Sequence, residues 1–332
     1  MITKFSKSYN IANIKKDFFD NNDLNLKSII KINNFYKKQK KRIRCKICSN
    51  KLKNFIINFG IKYALCKKCN HLNGEYEDTK KFSEWLYTSA KGSNYSRNYL
   101  SNYNERVKKI YIPKVDFLKK VLKKKFNLLD VGSGGGHFVR ALEIKKINAV
   151  GVEPSKTLSD LGNKVLKKNI LKNIPLDEIY EYIVDQKKID VVSAIGVLEH
   201  VNNPIEFIRN FKKSKAQYLY ISVPLFSLSV FLENSFTKVF PRHLSGGHTH
   251  LFTKESLYFL AKKNNLKIIG EWWFGTDLPD LYRSLLQSQN YTNRNLFKKT
   301  IDKYLFDMID ELQSVLDKKK KCSQVHMVFK KK

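Results

Sequence analysis

Glycines at every second position follow an acid in the middle of this 332-residue chain. An apolar run from Leu128 ends at Asp130, and Gly132, Gly134 and Gly136 come next. Glycine adopts the dihedral angles of a tight turn at low cost and lets a ligand approach the backbone closely. The pattern therefore predicts a strand, a turn that binds a nucleotide-type cofactor, and the start of a helix.

The spacing of these glycines distinguishes two kinds of cofactor. A dinucleotide fingerprint, G-x-G-x-x-G, requires glycine at position 137, which is His137 in this chain. The segment instead reads D-x-G-x-G-x-G, and it resembles motif I of the class I S-adenosylmethionine-dependent methyltransferases. The resemblance implies that S-adenosylmethionine is the cofactor and that it is bound by Asp130, Gly132, Ser133, Gly134 and Gly136.

A second acid stands where the next strand should end. Glu153 follows an apolar stretch from Asn148 and lies 21 residues after Gly132. A carboxylate in this place can accept hydrogen bonds from two ribose hydroxyls. By itself Glu153 is better interpreted as an ordinary solvated acid. Together with the glycine turn it predicts a cofactor-binding residue, with Pro154 beside it.

The fourth expected strand is followed by ionisable side chains. The stretch Val197 to Pro204 resembles the V-L-E-H-V-x-x-P motif of many small-molecule and sugar methyltransferases. The resemblance implies that Ile195 and Gly196 contact the cofactor and that His200 faces the methyl donor. A neutral imidazole can accept the proton of a hydroxyl. His200 is therefore the candidate base and Glu199 orients a neighbour; the alternative is a helix-capping or structural histidine.

Three histidines lie between positions 243 and 250. They raise the alternative of a metal site, but no carboxylate is interleaved with them. The segment from His248 to Leu257 matches a pattern, H-x-x-x-F-[ST]-x-x-S-L, that closes over the substrate in related methyltransferases. This match implies that His248 faces the substrate and that Thr253 caps the helix that follows.

Four of the five cysteines form two C-x2-C pairs with 17 residues between them: Cys45, Cys48, Cys66 and Cys69. This is zinc-ribbon spacing, and four thiolate ligands form a closed, structural site. The alternatives are disulfides, which are rare in the cytosol, and a redox pair, which needs only one C-x-x-C. A hairpin around Asn58 to Gly60 is expected between the pairs.

Composition limits the partners and the location. The net charge is +33, but lysines supply most of the 63 basic residues and no arginine-rich stripe is present. We interpret them as solvated lysines, so a nucleic-acid partner is not expected, whereas an anionic substrate or membrane surface is favoured. No signal peptide and no apolar run long enough to cross a bilayer is visible. We therefore expect a cytoplasmic protein.

Strands and helices alternate from residue 126 onward, which predicts an α/β, doubly wound, seven-stranded Rossmann-like sheet. The strands are expected at 127–131, 148–153, 169–172, 189–195, 216–224, 266–273 and 324–330. We divide the chain into an N-terminal extension (1–40), a zinc ribbon (41–75), a helical linker (76–122) and the cofactor-binding domain (123–332). A helical insert is expected at about 277–318, either pairing subunits or covering the substrate.

The whole arrangement resembles bacterial methyltransferases with an N-terminal zinc ribbon from surface-glycan pathways and, more loosely, zinc-containing sugar C-methyltransferases. It implies methyl transfer to a hydroxyl of a sugar or nucleotide-sugar, with Tyr95 and Tyr99 on the substrate side. In the C-methyltransferases a Tyr and a Glu precede the histidine equivalent to His248. This chain has Ser245 and Gly247 there, which favours oxygen over carbon. An RNA methyltransferase and a cofactor-binding protein without catalysis are the competing hypotheses.

Overall fold

A computed structural model describes residues 1–6, 21–53, 55–88, 102–244, 247–288 and 294–332. Tyr95, Tyr99 and Ser245 lie outside the described residues. The strands are β1 (Ile2–Phe5), β2 (Phe55–Asn58), β3 (Ile61–Leu65), β4 (Leu72–Gly74), β5 (Leu128–Val131), β6 (Ala149–Glu153), β7 (Leu171–Asn173), β8 (Val191–Ile195), β9 (Tyr218–Pro224), β10 (His250–Leu251), β11 (Leu266–Phe274) and β12 (Gln324–Lys331).

Helices connect most of the strands. They are α1 (Asn22–Tyr36), α2 (Lys80–Tyr87), α3 (Tyr103–Arg106), α4 (Ile112–Leu122), α5 (His137–Ile144), α6 (Lys156–Leu166), α7 (Ile179–Asp185), α8 (Pro204–Lys213), α9 (Leu228–Ser235), α10 (Lys254–Lys263), α11 (Asp277–Ser288), α12 (Arg294–Leu305) and α13 (Ile309–Lys318). A π-helical turn, Val107–Tyr111, joins α3 to α4, and a 3-10 turn, Phe306–Met308, joins α12 to α13.

The main sheet has the strand order β1-β11-β12-β9-β8-β5-β6-β7. Strands β5 to β9 are parallel to one another, and β12 runs antiparallel between β9 and β11. Alternate residues of β9 pack into two different apolar clusters, with Leu219 and Ile221 in one and Tyr220 in the other. Because successive strand residues point to opposite faces, the sheet is covered on both sides. The α/β fold is therefore confirmed.

All seven strands expected from the sequence are present, and an eighth is added at one edge. In β1, Ile2 pairs with Gly270 and Phe5 pairs with Trp273, parallel to β11. The beginning of the chain therefore belongs to the main sheet, although the sequence placed it in an N-terminal extension. Four residues with two apolar side chains carry too little periodicity to indicate a strand on their own.

A smaller antiparallel sheet has the order β10-β4-β3-β2. The expected hairpin is present, with β2 and β3 joined at Phe59 and Gly60. Its edge strand β10 comes from far along the chain, and it pairs His250 with Asn73 and Leu251 with Leu72. The cysteine-containing module is thus attached to the main domain through backbone pairing.

The helices α11, α12 and α13 form the insert expected between β11 and β12. Their buried side chains form a separate apolar cluster around Leu278 and Tyr282. The insert is fixed to the main sheet through Asp277, which accepts hydrogen bonds from Ser227 Oγ at 2.6 Å and from the Ser323 amide at 2.9 Å. In the described parts of the chain, no helix combines the length and apolarity that a membrane span requires.

Candidate active site

The turn after β5 has the backbone conformation that its glycines allow. Gly132, Gly134 and Gly136 have positive φ angles of 68°, 52° and 75°. A Cβ on Gly132 would lie 2.6 Å from a methyl group of Val197, so the turn is also in close contact with the loop after β8. Side chains at these positions would strain the backbone and fill the space in front of it.

Glu153 lies at the end of β6 and is held by the same turn. Its carboxylate accepts hydrogen bonds from the Gly134 amide at 2.8 Å and from the Ser155 amide at 2.9 Å. Burial raises the pKa of Glu153, and the two amides oppose that shift. Since each oxygen can accept more than one hydrogen bond, the carboxylate can also receive ligand hydroxyls.

A cavity of about 370 Å³ opens between the turn, the end of β6 and the loop after β8. Gly132, Gly134, Glu153, Pro154 and Gly196 line it, together with His200 and the apolar side chains of Leu158, Leu176 and Ile179. A fixed carboxylate beside apolar walls suits a nucleoside, whose ribose is polar and whose base is flat and apolar. The cavity therefore fits the cofactor that the sequence predicts.

Four of the residues expected to bind the cofactor do not line this cavity: Asp130, Ser133, Gly136 and Ile195. Asp130 is buried beneath the turn, where its carboxylate accepts a hydrogen bond from Ser193 Oγ at 2.6 Å. Burial raises the pKa of Asp130 to about 7, against the opposing effects of Ser193 and Lys114. Gly136 is the N-cap residue of α5. Asp130 is therefore in contact with the neighbouring strand β8, and Gly136 belongs to the start of the helix.

His200 lies at the wall of the cofactor cavity, in the loop between β8 and α8. Its Nδ1 is 2.8 Å from the carbonyl oxygen of Gly247 and 2.7 Å from the hydroxyl of Tyr87. Burial lowers the pKa of His200 to about 4, so the ring is neutral at neutral pH. It does not cap α8, because Asn203 does so by accepting a hydrogen bond from the Glu206 amide at 3.1 Å.

Glu199 and His248 lie beside His200. Glu199 Oε1 is 4.0 Å from His200 Nε2, and the rings of His200 and His248 are 4.8 Å apart between centroids. Burial raises the pKa of Glu199 to about 8. The Nδ1 of His248 is 2.9 Å from the carbonyl oxygen of His243. Three residues from two distant loops therefore form one cluster.

A second, more polar cavity of about 210 Å³ adjoins this cluster. It is lined by Glu199 and His248 and by the basic side chains of Arg106, Lys114 and Arg242. His200 lines the cofactor cavity, so the cluster lies between the two spaces. An acceptor molecule in the second cavity would meet the cofactor at these three residues.

Tyr87 is a site residue that sequence reasoning did not select. It ends α2, lines the cofactor cavity, and places its hydroxyl on His200. It belongs to the tyrosine-rich part of the chain that also contains Tyr95 and Tyr99, and no local sequence pattern there singles it out. The Tyr87 hydroxyl also lies 3.3 Å from the carbonyl oxygen of Gly247, a contact that the sequence did not indicate either.

The four paired cysteines lie together, with one sulfur from each within 4.8 Å of the others. Cys45 Sγ is 3.6 Å from Cys69 Sγ, and Cys48 Sγ is 3.4 Å from Cys66 Sγ. Tetrahedral thiolates at a zinc–sulfur distance of about 2.3 Å lie roughly 3.8 Å apart, so the cluster fits one zinc ion. Both knuckles end in left-handed residues, Ser49 and Asn70, with φ angles of 61° and 57°. The fifth cysteine, Cys322, is buried elsewhere.

The helix after His248 begins as the sequence predicts. Thr253 Oγ1 accepts a hydrogen bond from the Ser256 amide at 3.0 Å, and Ser256 Oγ accepts one from the Thr253 amide at 2.9 Å. This reciprocal capping box fixes the start of α10. It therefore defines the end of the loop that carries His248.

A family model described as a methyltransferase domain matches residues 103–271. Ubiquinone biosynthesis O-methyltransferase of Rickettsia akari (strain Hartford) is 33% identical over 89 residues, which are 27% of this chain and 36% of that protein. The enzyme of the same description from Rickettsia typhi (strain ATCC VR-144 / Wilmington) is 34% identical over 86 residues, or 26% and 35%. The chain thus spans about a third of the length of these curated relatives.

Solved structures of similar architecture include a SAM-dependent methyltransferase from Archaeoglobus fulgidus. It has a TM-score of 0.43 and 17% identity, over 66% of this chain and 92% of that chain. Magnesium protoporphyrin IX methyltransferase (ChlM) from Synechocystis PCC 6803, solved with bound SAH, has a TM-score of 0.49 and 11% identity, over 76% and 100%.

Proposed function

Because this chain belongs to the methyltransferase-domain family, we propose that it transfers a methyl group from S-adenosylmethionine to a hydroxyl of a sugar or nucleotide-sugar. The reaction would serve surface-polysaccharide or deoxysugar biosynthesis. The observation that carries the proposal is the position of the Glu199, His200 and His248 cluster. It separates a cavity that suits a nucleoside from a polar cavity with room for an acceptor.

The chain's own residues account for binding of the cofactor. The glycine turn would let the methionine end approach the backbone, and the Glu153 carboxylate, fixed by two amides, would accept the ribose hydroxyls. The apolar side chains around Leu176 and Ile179 would hold the base. Asp130 supports the turn from below through its hydrogen bond with Ser193, which is how it acts on cofactor affinity. Ser133 belongs to the turn itself, and its amide donates a hydrogen bond of 3.0 Å to the Val152 carbonyl oxygen.

The cofactor supplies a methyl group that its sulfonium already activates, so the protein mainly has to align the acceptor and remove one proton. The acceptor oxygen forms a bond to the methyl carbon as the carbon–sulfur bond breaks, which leaves a neutral thioether. The hydroxyl proton goes to the cluster, where His200 is the acceptor that we assign. A neutral imidazole with Nε2 toward Glu199 is in the protonation state that this role needs.

The features next to His200 favour an oxygen acceptor. The C-methyltransferases that this chain resembles carry a glutamate where it has Gly247. A Cβ on Gly247 would lie 3.3 Å from His200 Cε1 and 3.3 Å from the Tyr87 hydroxyl, so a larger side chain would displace one of them. Carbon methylation of a sugar remains the second candidate, because the cysteine module is common to both groups.

We further propose that the four cysteines hold one structural zinc ion. All four ligands are thiolates, which leaves no coordination position for a substrate. The role of the ion is then to fold residues 41–75, including β4, which pairs with β10.

The first test is calorimetric titration of S-adenosylmethionine and, separately, NAD into the zinc-replete protein. Micromolar binding of S-adenosylmethionine that is lost in Glu153→Ala and weakened in Asp130→Ala is expected, with no binding of NAD. Formation of S-adenosylhomocysteine with a panel of sugars and nucleotide-sugars then identifies the acceptor. Preference for NAD, or binding without turnover on any hydroxyl acceptor, would contradict the proposal.

A further inference from the structure

The cluster of Glu199, His200 and His248 has the composition and spacing of a metal site. One ligand atom from each of the three side chains lies within 4.8 Å of the other two. Two imidazoles and one carboxylate on one side of a cation leave positions open on the other side. Here that open side is the polar cavity, because Glu199 and His248 both line it.

Both histidine rings are oriented in the way that metal ligands usually are. The Nδ1 of His200 is 2.8 Å from the Gly247 carbonyl oxygen, and the Nδ1 of His248 is 2.9 Å from the His243 carbonyl oxygen. A carbonyl only accepts hydrogen bonds, so these contacts place the proton on Nδ1 and leave Nε2 with its lone pair. Backbone carbonyls fix metal-binding histidines in this manner.

The carboxyl group of Glu199 is buried, and one of its oxygens has no partner. The residue is 3% exposed, and its Oε2 makes no hydrogen bond in the part of the chain that the structure describes. A buried carboxylate oxygen without a hydrogen bond costs free energy, which a coordinated cation offsets. The unpaired oxygen and the two oriented imidazoles are independent observations at one place.

We infer that Glu199, His200 and His248 bind a divalent first-row transition-metal cation, whose open positions take oxygen atoms of the acceptor from the polar cavity. The inference rests on the proposed function and deepens it. In the metal-loaded enzyme His200 is a ligand instead of the direct proton acceptor. A hydroxyl bound to the cation has a lowered pKa and loses its proton to water before its oxygen attacks the methyl group.

The site is separable from the cysteine site by ligand chemistry. Thiolates select zinc, whereas imidazole and carboxylate ligands also accept manganese. Mn²⁺ added to protein that holds a single equivalent of zinc, which the four thiolates bind preferentially, therefore reports on the cluster. The free Mn²⁺ signal in electron paramagnetic resonance gives the number of bound ions without any need for the acceptor.

The experiment compares the wild type with Glu199→Gln, His248→Ala and a matched variant, Glu255→Gln. Glu255 is exposed in the first turn of α10, so its replacement removes the same charge away from the cluster. We expect one Mn²⁺ per chain in the wild type and in Glu255→Gln. The dissociation constant should rise at least about tenfold in the two cluster variants.

S-adenosylmethionine affinity is measured for every variant as a check on folding and on the proposed function. Protein that binds S-adenosylmethionine but not Mn²⁺, or that binds Mn²⁺ equally in Glu199→Gln and His248→Ala, would overturn the metal site and leave the methyltransferase proposal standing. Protein that binds Mn²⁺ at the cluster but no S-adenosylmethionine would reject the proposed function instead. If Glu199→Gln or His248→Ala also loses S-adenosylmethionine binding, Glu199→Asp is measured in its place. Glu199→Asp keeps the carboxylate, so it should bind Mn²⁺ again.

Discussion

The ammonium group of Lys46 donates a hydrogen bond of 3.0 Å to the backbone carbonyl of Val201. Lys46 lies inside the first cysteine knuckle, and Val201 directly follows His200. The same ammonium group also pairs with the buried carboxylate of Asp78. The cysteine module is thus joined to the loop of the candidate active site by a buried polar contact.

Replacement of Lys46 by Met should destabilise the protein. Asp78 would lose one of its two cationic partners, and the Val201 carbonyl would lose its donor, so the free energy of unfolding should fall by about 3 kcal/mol. Urea denaturation measures this change. Lys67, which holds the equivalent position in the second knuckle but is exposed, provides the control: Lys67→Met should change stability by less than about 0.5 kcal/mol. Equal effects of the two substitutions would show that the contact with Val201 is unimportant.

Removal of one cysteine ligand should abolish zinc binding. Elemental analysis of the purified protein is expected to give one zinc per chain, and Cys48→Ser should reduce this to a small fraction and lower the melting temperature. Cys322 is buried and lies far along the chain from the other four cysteines. Its Sγ makes a weak contact with the Gln324 carbonyl oxygen at 3.5 Å. Cys322→Ser should therefore retain its zinc, and a loss of zinc in that variant would count against the four-cysteine assignment.

The affinity for S-adenosylmethionine should depend on the charge of Glu153. In Glu153→Gln the amide NH2 would face one of the two backbone donors, so the side chain would rotate away from the ribose. A loss of one charge-assisted hydrogen bond corresponds to about 1.5–3 kcal/mol, or at least about tenfold in the dissociation constant. Calorimetry gives this value directly. Glu178→Gln, an exposed neighbour before α7, should bind as the wild type does; an unaffected Glu153→Gln would remove the ribose assignment.

Asp130 should make stability depend on pH in an unusual direction. Burial raises its pKa to about 7 in the folded protein, whereas an unfolded aspartate has a pKa of about 3.9. Between about pH 4 and pH 7 the folded state retains a proton that the unfolded state releases, so the stability of the wild type falls as the pH rises.

Asp130→Asn keeps an acceptor for Ser193 and removes this titration. The free energy of unfolding of the variant minus that of the wild type should therefore increase between pH 5 and pH 8. The expected increase is on the order of 2–4 kcal/mol. Urea denaturation at several pH values measures the difference. Asp160, which is exposed and pairs with Lys156, is the control, since Asp160→Asn should show no such trend. A pH-independent difference for Asp130→Asn would mean that its carboxyl group is ionised throughout.

The sequence predicted those structural features that are determined by residues close together along the chain. The glycine turn, the seven strands, the ribbon hairpin and the Thr253 cap are each encoded within a few residues, by backbone freedom, periodicity or capping chemistry. The family motifs also selected Glu199, His200 and His248, which the structure brings together although they lie in two loops about 50 residues apart; their catalytic roles stay predictions.

What the sequence did not indicate depends on long-range pairing. Strand β1 exists because β11 offers a free edge, and β10 is two residues long and exists because β4 lies beside it. The position of Asp130 beneath the turn, and the contact of Tyr87 with His200, likewise follow from how the elements pack. None of these partners lies close enough along the chain to leave a pattern.

The pairing of β10 with β4 constrains how this chain can be rearranged by recombination. Strand β10 starts two residues after His248, and its only described strand neighbour belongs to the cysteine module. A chimera that lost residues 41–75 would leave β10, which follows His248 by two residues, without its strand partner β4. An exchange of the cysteine module would therefore have to preserve this pairing as well as the four cysteines.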